Sequence, residues 1–208
     1  MILIGQYDSP FVRRVGIALT LYGLAFDHRP WSVFGDVEKI RAYHPLTRVP
    51  TLLLDDGTAL ADSHVILDYL DSLVPETQAL FPRLEPARHL ALRVATLAAG
   101  MAEKAVSLFY EMRLHQAVSD VWVDRCRAQI LAVMGVLEAE RAGRATAYWF
   151  GAAIGHADIM VAAALRFLNE AHPGLADMGN YPALAAHAAR LEALAVFRAI
   201  QQEFIPPS

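Results

Sequence analysis

The sequence predicts an α/β domain followed by an all-helical one, and three observations carry that prediction. Short apolar runs alternate with amphipathic helical runs in the order βαβαββα through residue 77. A proline-marked stretch, Leu80-Phe81-Pro82 through Pro86, then interrupts the pattern. Beyond it, apolar residues recur every three or four positions and strand patterning stops. The expected division is residues 1–77, a linker over 78–86, and residues 87–208.

Ile2 to Gln6 reads as the first strand. Ser9 stands before Pro10, with Val12, Val15, Leu19 and Tyr22 following at helical spacing. Serine at N-cap with proline at the first helical position is a strong helix start, because proline lacks only an N–H that would be unpaired there. This helix is expected over Pro10 to Tyr22, with Gly23 as its stop. Phe26 to Trp31 is a second strand, short or at an edge because Arg29-Pro30 interrupts it. Val37 to Tyr43 is a helix that ends ahead of His44-Pro45, since the residue before proline avoids helical geometry. Thr51 to Leu54 and Thr58 to Ala61 flank the turn Asp55-Asp56-Gly57, and Ser63 to Leu73 is a third helix.

From Ala87, the positions Leu90, Val94, Leu97, Met101, Ala105, Leu108 and Met112 mark one face of a long helix. Trp122, Cys126, Ile130, Val133 and Leu137 mark a second. After a turn region from Arg141 to Tyr148, Ile154-Gly155-His156-Ala157-Asp158-Ile159 starts an almost wholly apolar helix reaching about Ala171. Asp158 is placed to take the first-turn N–H groups, and Ile154 with Ile159 forms a hydrophobic staple. That makes Asp158 structural. Tyr181-Pro182 to Leu194 and Val196 to Glu203 are two shorter helices, and Ile205 to Ser208 is a tail.

Composition excludes several classes of function. With 55% hydrophobic and 19% charged residues, the chain can build packed cores and is not a disordered one. A net charge of −4 offers no basic field for nucleic acid. No apolar run approaches the roughly 20 residues of a membrane span, and no signal segment precedes the first strand. A cytoplasmic protein is expected. The single cysteine, Cys126, excludes an internal disulfide and a cysteine-based metal site. The eight histidines show no metal-ligand spacing either, so no metal is expected.

The chemistry is concentrated at the first helix start. A strand delivers the chain to a helix N-terminus that carries a hydroxyl, where free N–H groups and the positive end of the helix dipole favour an anion such as a thiolate. Ser9-Pro10, Val49-Pro50 and Asp62-Ser63 occur in an order and spacing that resemble the thioredoxin-like domain of the cytosolic glutathione transferases. The helical second half, with its Gly155 and Asp158 helix start, is similar to that family's C-terminal domain. The resemblance covers the whole chain.

It implies that glutathione is a co-substrate and that no cofactor is used. Ser9 would hold the glutathione sulfur as a thiolate, with Tyr7 at the end of strand one as the alternative hydrogen-bond donor. Because the Ser-Pro-Phe pattern matches a bacterial-looking serine-type loop, Ser9 is preferred. With Ser9 and Val12 at the two thiol positions of related oxidoreductases, dithiol exchange is excluded. A cis Pro50 would turn the Val49 backbone toward the peptide backbone of glutathione. Arg48 would meet the glycyl carboxylate, Asp62 the α-ammonium and Ser63 the α-carboxylate. Phe11, Phe109, Tyr110 and Arg113 are the candidates for the pocket of a hydrophobic electrophile. An isomerase or dehalogenase on the same scaffold, or a non-catalytic binding protein, are the alternatives. The resemblance also implies a homodimer, and Leu92, Leu114, Val121, Val123 and Leu131 extend the apolar surface of the two long helices beyond one stripe.

Overall fold

In the computed structural model, which describes residues 1–206, the first half of the chain builds a four-stranded sheet. Its strands are Ile2–Ile4 (β1), Asp27–Arg29 (β2), Thr51–Leu53 (β3) and Ala59–Ala61 (β4), in the order β2-β1-β3-β4. β1 runs parallel to β2 and antiparallel to β3, and β3 pairs antiparallel with β4. The helices of this half are Pro10–Leu21 (α1), Val37–Arg41 (α2) and Ser63–Ser72 (α3). Leu3, Val12, Val15, Leu19, Leu52, Ile66, Leu67 and Leu70 form the core between the sheet and α1 and α3. Their spacing is the reason the two helices lie against it: α1 and α3 each bury a stripe of residues three or four apart. β2 is an edge strand of three residues, because Pro30 offers no N–H to continue the ladder.

The second half is helical. Ala87–Leu114 (α4), Asp120–Ala142 (α5), His156–Ala171 (α6) and Pro182–Glu192 (α7) are followed by the short Ala195–Ala199 (α8). α6 is buried along most of its length, as its apolar composition requires. Two carboxylates of α5 serve other elements. Glu138 accepts from the N–H groups of Ala183 and Leu184 at 2.9 and 2.8 Å, capping α7. Glu140 accepts from the indole N–H of the fully buried Trp149 at 2.9 Å.

Two boundaries differ from the sequence reading. The first compact unit is Met1–Leu84 together with the segment that starts at Leu194, and the second is Glu85–Ala193. The first unit therefore runs beyond residue 77. The buried carboxylate of Asp71 accepts from the Tyr22 hydroxyl and from the Leu80 and Phe81 N–H groups. Arg83 donates to the carbonyls of Asp71 and Val74 at 2.7 and 2.6 Å. Most of the expected linker is thus hydrogen-bonded into the first unit. The helix expected from Val196 to Glu203 stops at Ala199, and the carbonyls of Phe197 and Ile200 are taken by the Arg13 guanidinium. Pro207 and Ser208, the end of the expected tail, lie outside the described residues.

Of the apolar residues outside the main stripe, Val123 is buried within the chain. Leu114, Leu131 and above all Val121, 82% exposed, are not. No helix among the described residues is long and apolar enough to cross a membrane.

Candidate functional site

Strand register brings the three sequence motifs to one end of the sheet. Ile4 at the end of β1 lies opposite Thr51 at the start of β3, and Thr51 lies opposite Ala61 at the end of β4. The chain leaving β1 therefore reaches Ser9, the chain entering β3 passes Val49-Pro50, and the chain leaving β4 reaches Asp62-Ser63, all at this end. α1 and α3 both begin here, so two helix N-termini with their positive dipole ends are supplied together.

Ser9 is the N-cap of α1, half-buried, and its Oγ accepts from the Val12 N–H at a long 3.5 Å. A hydroxyl that accepts in this way retains its proton for donation. The Val49–Pro50 bond is cis, and Pro50 is buried while Val49 is partly exposed. Asp62, at φ 68°, is the N-cap of α3, and its Oδ1 accepts from the His64 N–H at 2.8 Å. The positive φ at a non-glycine residue is sterically unfavourable, a local strain of the kind found at functional sites. Ser63 follows at the first helical position and is 3% exposed. Arg48 is exposed, and its carbonyl accepts from the Thr51 hydroxyl at 3.0 Å.

Tyr7 points elsewhere. Its ring stacks on His28 with centroids 3.8 Å apart. Its edge occupies the space above Gly16, where a Cβ would lie 2.8 Å from Tyr7 Cε1. Gly16 is seven residues along α1 from Ser9, about 10 Å at the helical rise. Burial pushes the Tyr7 hydroxyl up to about 12, so it stays protonated.

Two family models match the chain. The glutathione S-transferase N-terminal domain matches residues 3–78, and the C-terminal domain matches residues 120–190. An uncharacterized glutathione-transferase-like protein of Escherichia coli, YibF, is 31% identical over 140 residues, covering 66% of this chain and 68% of the relative. The chain belongs to the glutathione S-transferase family. A glutathione S-transferase structure from Methylobacterium radiotolerans, in complex with glutathione sulfonate, superimposes with a TM-score of 0.89 at 25% identity, covering 100% of this chain and 98% of the other. A family member from Pseudomonas fluorescens Pf-5 with bound glutathione gives 0.82 at 32% identity, covering 100% of this chain and 99% of that one.

In this member of the family the remaining candidates are distributed between the two units. Phe11 is the second residue of α1, half-buried, in the first unit. Phe109, Tyr110 and Arg113 are on α4 in the second, with Phe109 edge-on to Tyr110 at 6.4 Å and to His172 at 6.1 Å. Cys126 is buried, and burial pushes its thiol up, away from reactivity. Among the described residues no group of three or more His, Cys, Asp or Glu side chains is placed to hold a metal ion.

Two residues that matter to the site were not singled out in the sequence. Gly5, at φ 127°, lets the end of β1 pass between α1 and Val49, since a Cβ there would lie 2.5 Å from Val12 Cγ2 and 2.8 Å from Val49 Cβ. A glycine directly after a strand was the available signal. Gln202 is the other: its Oε1 accepts from the Tyr7 N–H at 3.3 Å. Nothing local announces a contact across 195 positions.

Proposed function

We propose that this protein is a serine-type glutathione transferase acting in the cytoplasm. Glutathione binds across the end of the sheet where α1 and α3 begin. The Ser9 hydroxyl donates to its sulfur, and the thiolate attacks an electrophilic carbon of a hydrophobic co-substrate. Glutathione is consumed as co-substrate, and no further cofactor takes part. The observation that carries this reading is the position of the Ser9 hydroxyl at the N-cap of α1, at the end of the sheet shared with Val49-Pro50 and the start of α3.

The energetics fit. A thiol near pKa 8.5 is only a few per cent ionised at pH 7. Lowering it by about two units needs roughly 2.7 kcal/mol of preferential thiolate stabilisation. A charge-assisted hydrogen bond together with a helix N-terminus is of that order. At the other end of the tripeptide, Ser63 and the first N–H groups of α3 suit the γ-glutamyl carboxylate. Asp62 suits the ammonium and Arg48 the glycyl carboxylate. A homodimer is part of the same proposal, supported by the exposed apolar residues Leu114, Val121 and Leu131 on α4 and α5. Light scattering at micromolar concentration tests it, and a species of 22.9 kDa would refute it.

Retention on immobilised glutathione with elution by the free tripeptide tests binding. Thiolate absorbance of bound glutathione against pH, with conjugation to a model electrophile, tests the chemistry. The expected midpoint is well below that of the free thiol. Failure to be retained would overturn the reading. Retention without a shifted midpoint would leave a binding protein.

A further inference from the structure

The segment after α7 returns to α1 and to the loop that carries Ser9. Arg13, 1% exposed, donates from Nε to the Ile200 carbonyl at 2.9 Å and from Nη2 to the Phe197 carbonyl at 3.1 Å. Its guanidinium also lies 5.4 Å from the centroid of the buried Phe197 ring. Ile200 packs against the face of α1 at Gly16, where a Cβ would meet its Cγ2 at 2.9 Å. From this anchorage the chain continues without helix or strand past the loop. Gln202 Oε1 accepts from the Tyr7 N–H at 3.3 Å, and the Ile205 N–H donates to Asp8 Oδ2 at 3.2 Å.

Those two contacts fall on the two residues immediately before Ser9. The loop holds itself by the Ser9 N–H donating to the Gln6 carbonyl at 3.2 Å, and α1 begins with the Arg13 N–H bonded to the Ser9 carbonyl at 2.9 Å. Tyr7 and Asp8 lie inside this turn, and they are the residues the returning segment meets. A hydroxyl that stabilises a thiolate is effective only if it is already in place when the charge forms. Misplacement by a fraction of an ångström lowers the rate without weakening binding made elsewhere on the tripeptide.

We propose that Gln202 is a positioning residue for Ser9, holding the Tyr7–Ser9 loop through the Tyr7 N–H while the Arg13 clasp anchors the segment behind it. The proposal rests on the reading of Ser9 as the thiolate-stabilising group.

Gln202→Met keeps the side-chain length and removes the acceptor. Gln202→Glu keeps an acceptor oxygen, and comparison at about 0.5 M salt screens its added charge. Three readouts separate positioning from mere structure: the thiol titration of bound glutathione, kcat and KM for glutathione with a model electrophile, and amide exchange across Tyr7–Ser9. Gln202→Met is expected to raise the bound-thiol midpoint by about half to one unit. It should lower kcat at neutral pH roughly three- to tenfold, with KM for glutathione within about twofold and exchange of the loop faster. Gln202→Glu should stay near the parent protein in all three. Should Gln202→Met fold poorly, Ile205→Pro removes the donor to Asp8 at an exposed position and should shift the midpoint in the same direction. A midpoint and kcat unmoved by Gln202→Met, or by Ile205→Pro where that variant replaces it, would overturn the proposal. So would equal damage from Gln202→Met and Gln202→Glu. A parent protein whose bound glutathione titrates like the free thiol would overturn the Ser9 reading and this one with it. A shifted parent midpoint that the variants leave alone would overturn only the positioning role.

Discussion

Two helices of this chain solve the same problem in opposite ways. α1 and α6 both begin with N–H groups that have no partner within the helix. At α6 the solution is closed. Asp158, 1% exposed, accepts from the Gly155 N–H at 2.8 Å through one oxygen and from the Trp149 N–H at 2.7 Å through the other. At α1 the solution is open: a half-buried serine makes one long bond to Val12 and keeps its proton. A side chain that satisfies everything around it has nothing left for a ligand. One that satisfies little contributes little to folding and remains available for chemistry.

The contrast predicts opposite phenotypes. Asp158→Ala leaves the buried Trp149 N–H and the part-buried Gly155 N–H without an acceptor, which costs about 3 kcal/mol of stability. Urea unfolding should show this, and a loss under about 1 kcal/mol would contradict the closed arrangement. Folded Asp158→Ala should bind glutathione as the parent does. Ser9→Ala should cost less than about 1 kcal/mol, because its 3.5 Å bond is at the weak end for a cap. Its conjugation rate at neutral pH should nevertheless fall by one to three orders of magnitude. Tyr7→Phe should fall by less. If Tyr7→Phe is the more damaging change, the tyrosine and not the serine serves the sulfur.

What could be read beforehand divides along the same line as local against long-range structure. Ser9-Pro10 and Gly155 to Asp158 announce their helix starts because the capping chemistry lies within four residues. Apolar spacing identified the sheet, the long helices and the buried course of α6 for the same reason. Helix ends were less legible. α8 has the composition to continue, but the Arg13 guanidinium, 187 positions away from Ile200, takes the carbonyl there. The division into units failed at the same place, since the return of the last segment depends on Arg13, Gly16, Tyr7 and Asp8 rather than on its own pattern. Val121 and Val123 looked equivalent on α5, yet one is 82% and the other 6% exposed. Two positions of a helix differ by about 200° in direction, so the register decides which is covered.

The smallest expected effect sharpens the comparison at the closed end. His187 Nε2 lies 3.3 Å from Asp158 Oδ1, both side chains are almost fully buried, and Arg141 and Arg190 are the nearby cations. Burial pushes Asp158 up to about 6 and His187 down to about 4. For Asp158 the folded state binds more protons than the unfolded one between pH 3.8 and about 6, so its contribution is full below pH 3.8 and is lost as pH rises through 6. For His187 the folded state binds fewer protons between about 4 and 6.5, so its contribution is full above pH 6.5 and is lost as pH falls through 4. The two slopes oppose each other, and the parent protein should show little pH dependence from this pair. Single variants uncover each half. His187→Gln should become more stable, relative to the parent, as pH falls from 6.5 to 4.5, and Asp158→Asn less stable, each by about 1–2 kcal/mol. Urea midpoints at several pH values measure this. The competing arrangement is an ion pair, with the proton on His187 and the charge on Asp158. It would hold the histidine protonated and the carboxylate ionised in the folded state, moving the pH dependence above pH 6.5 for His187 and below pH 3.8 for Asp158, so that both variants would keep a nearly constant offset from the parent between pH 6.5 and 4.5. Variants whose offset from the parent stays constant across that window would therefore show that the closed end of α6 is held by charge attraction rather than by two neutral-leaning groups that burial has moved apart.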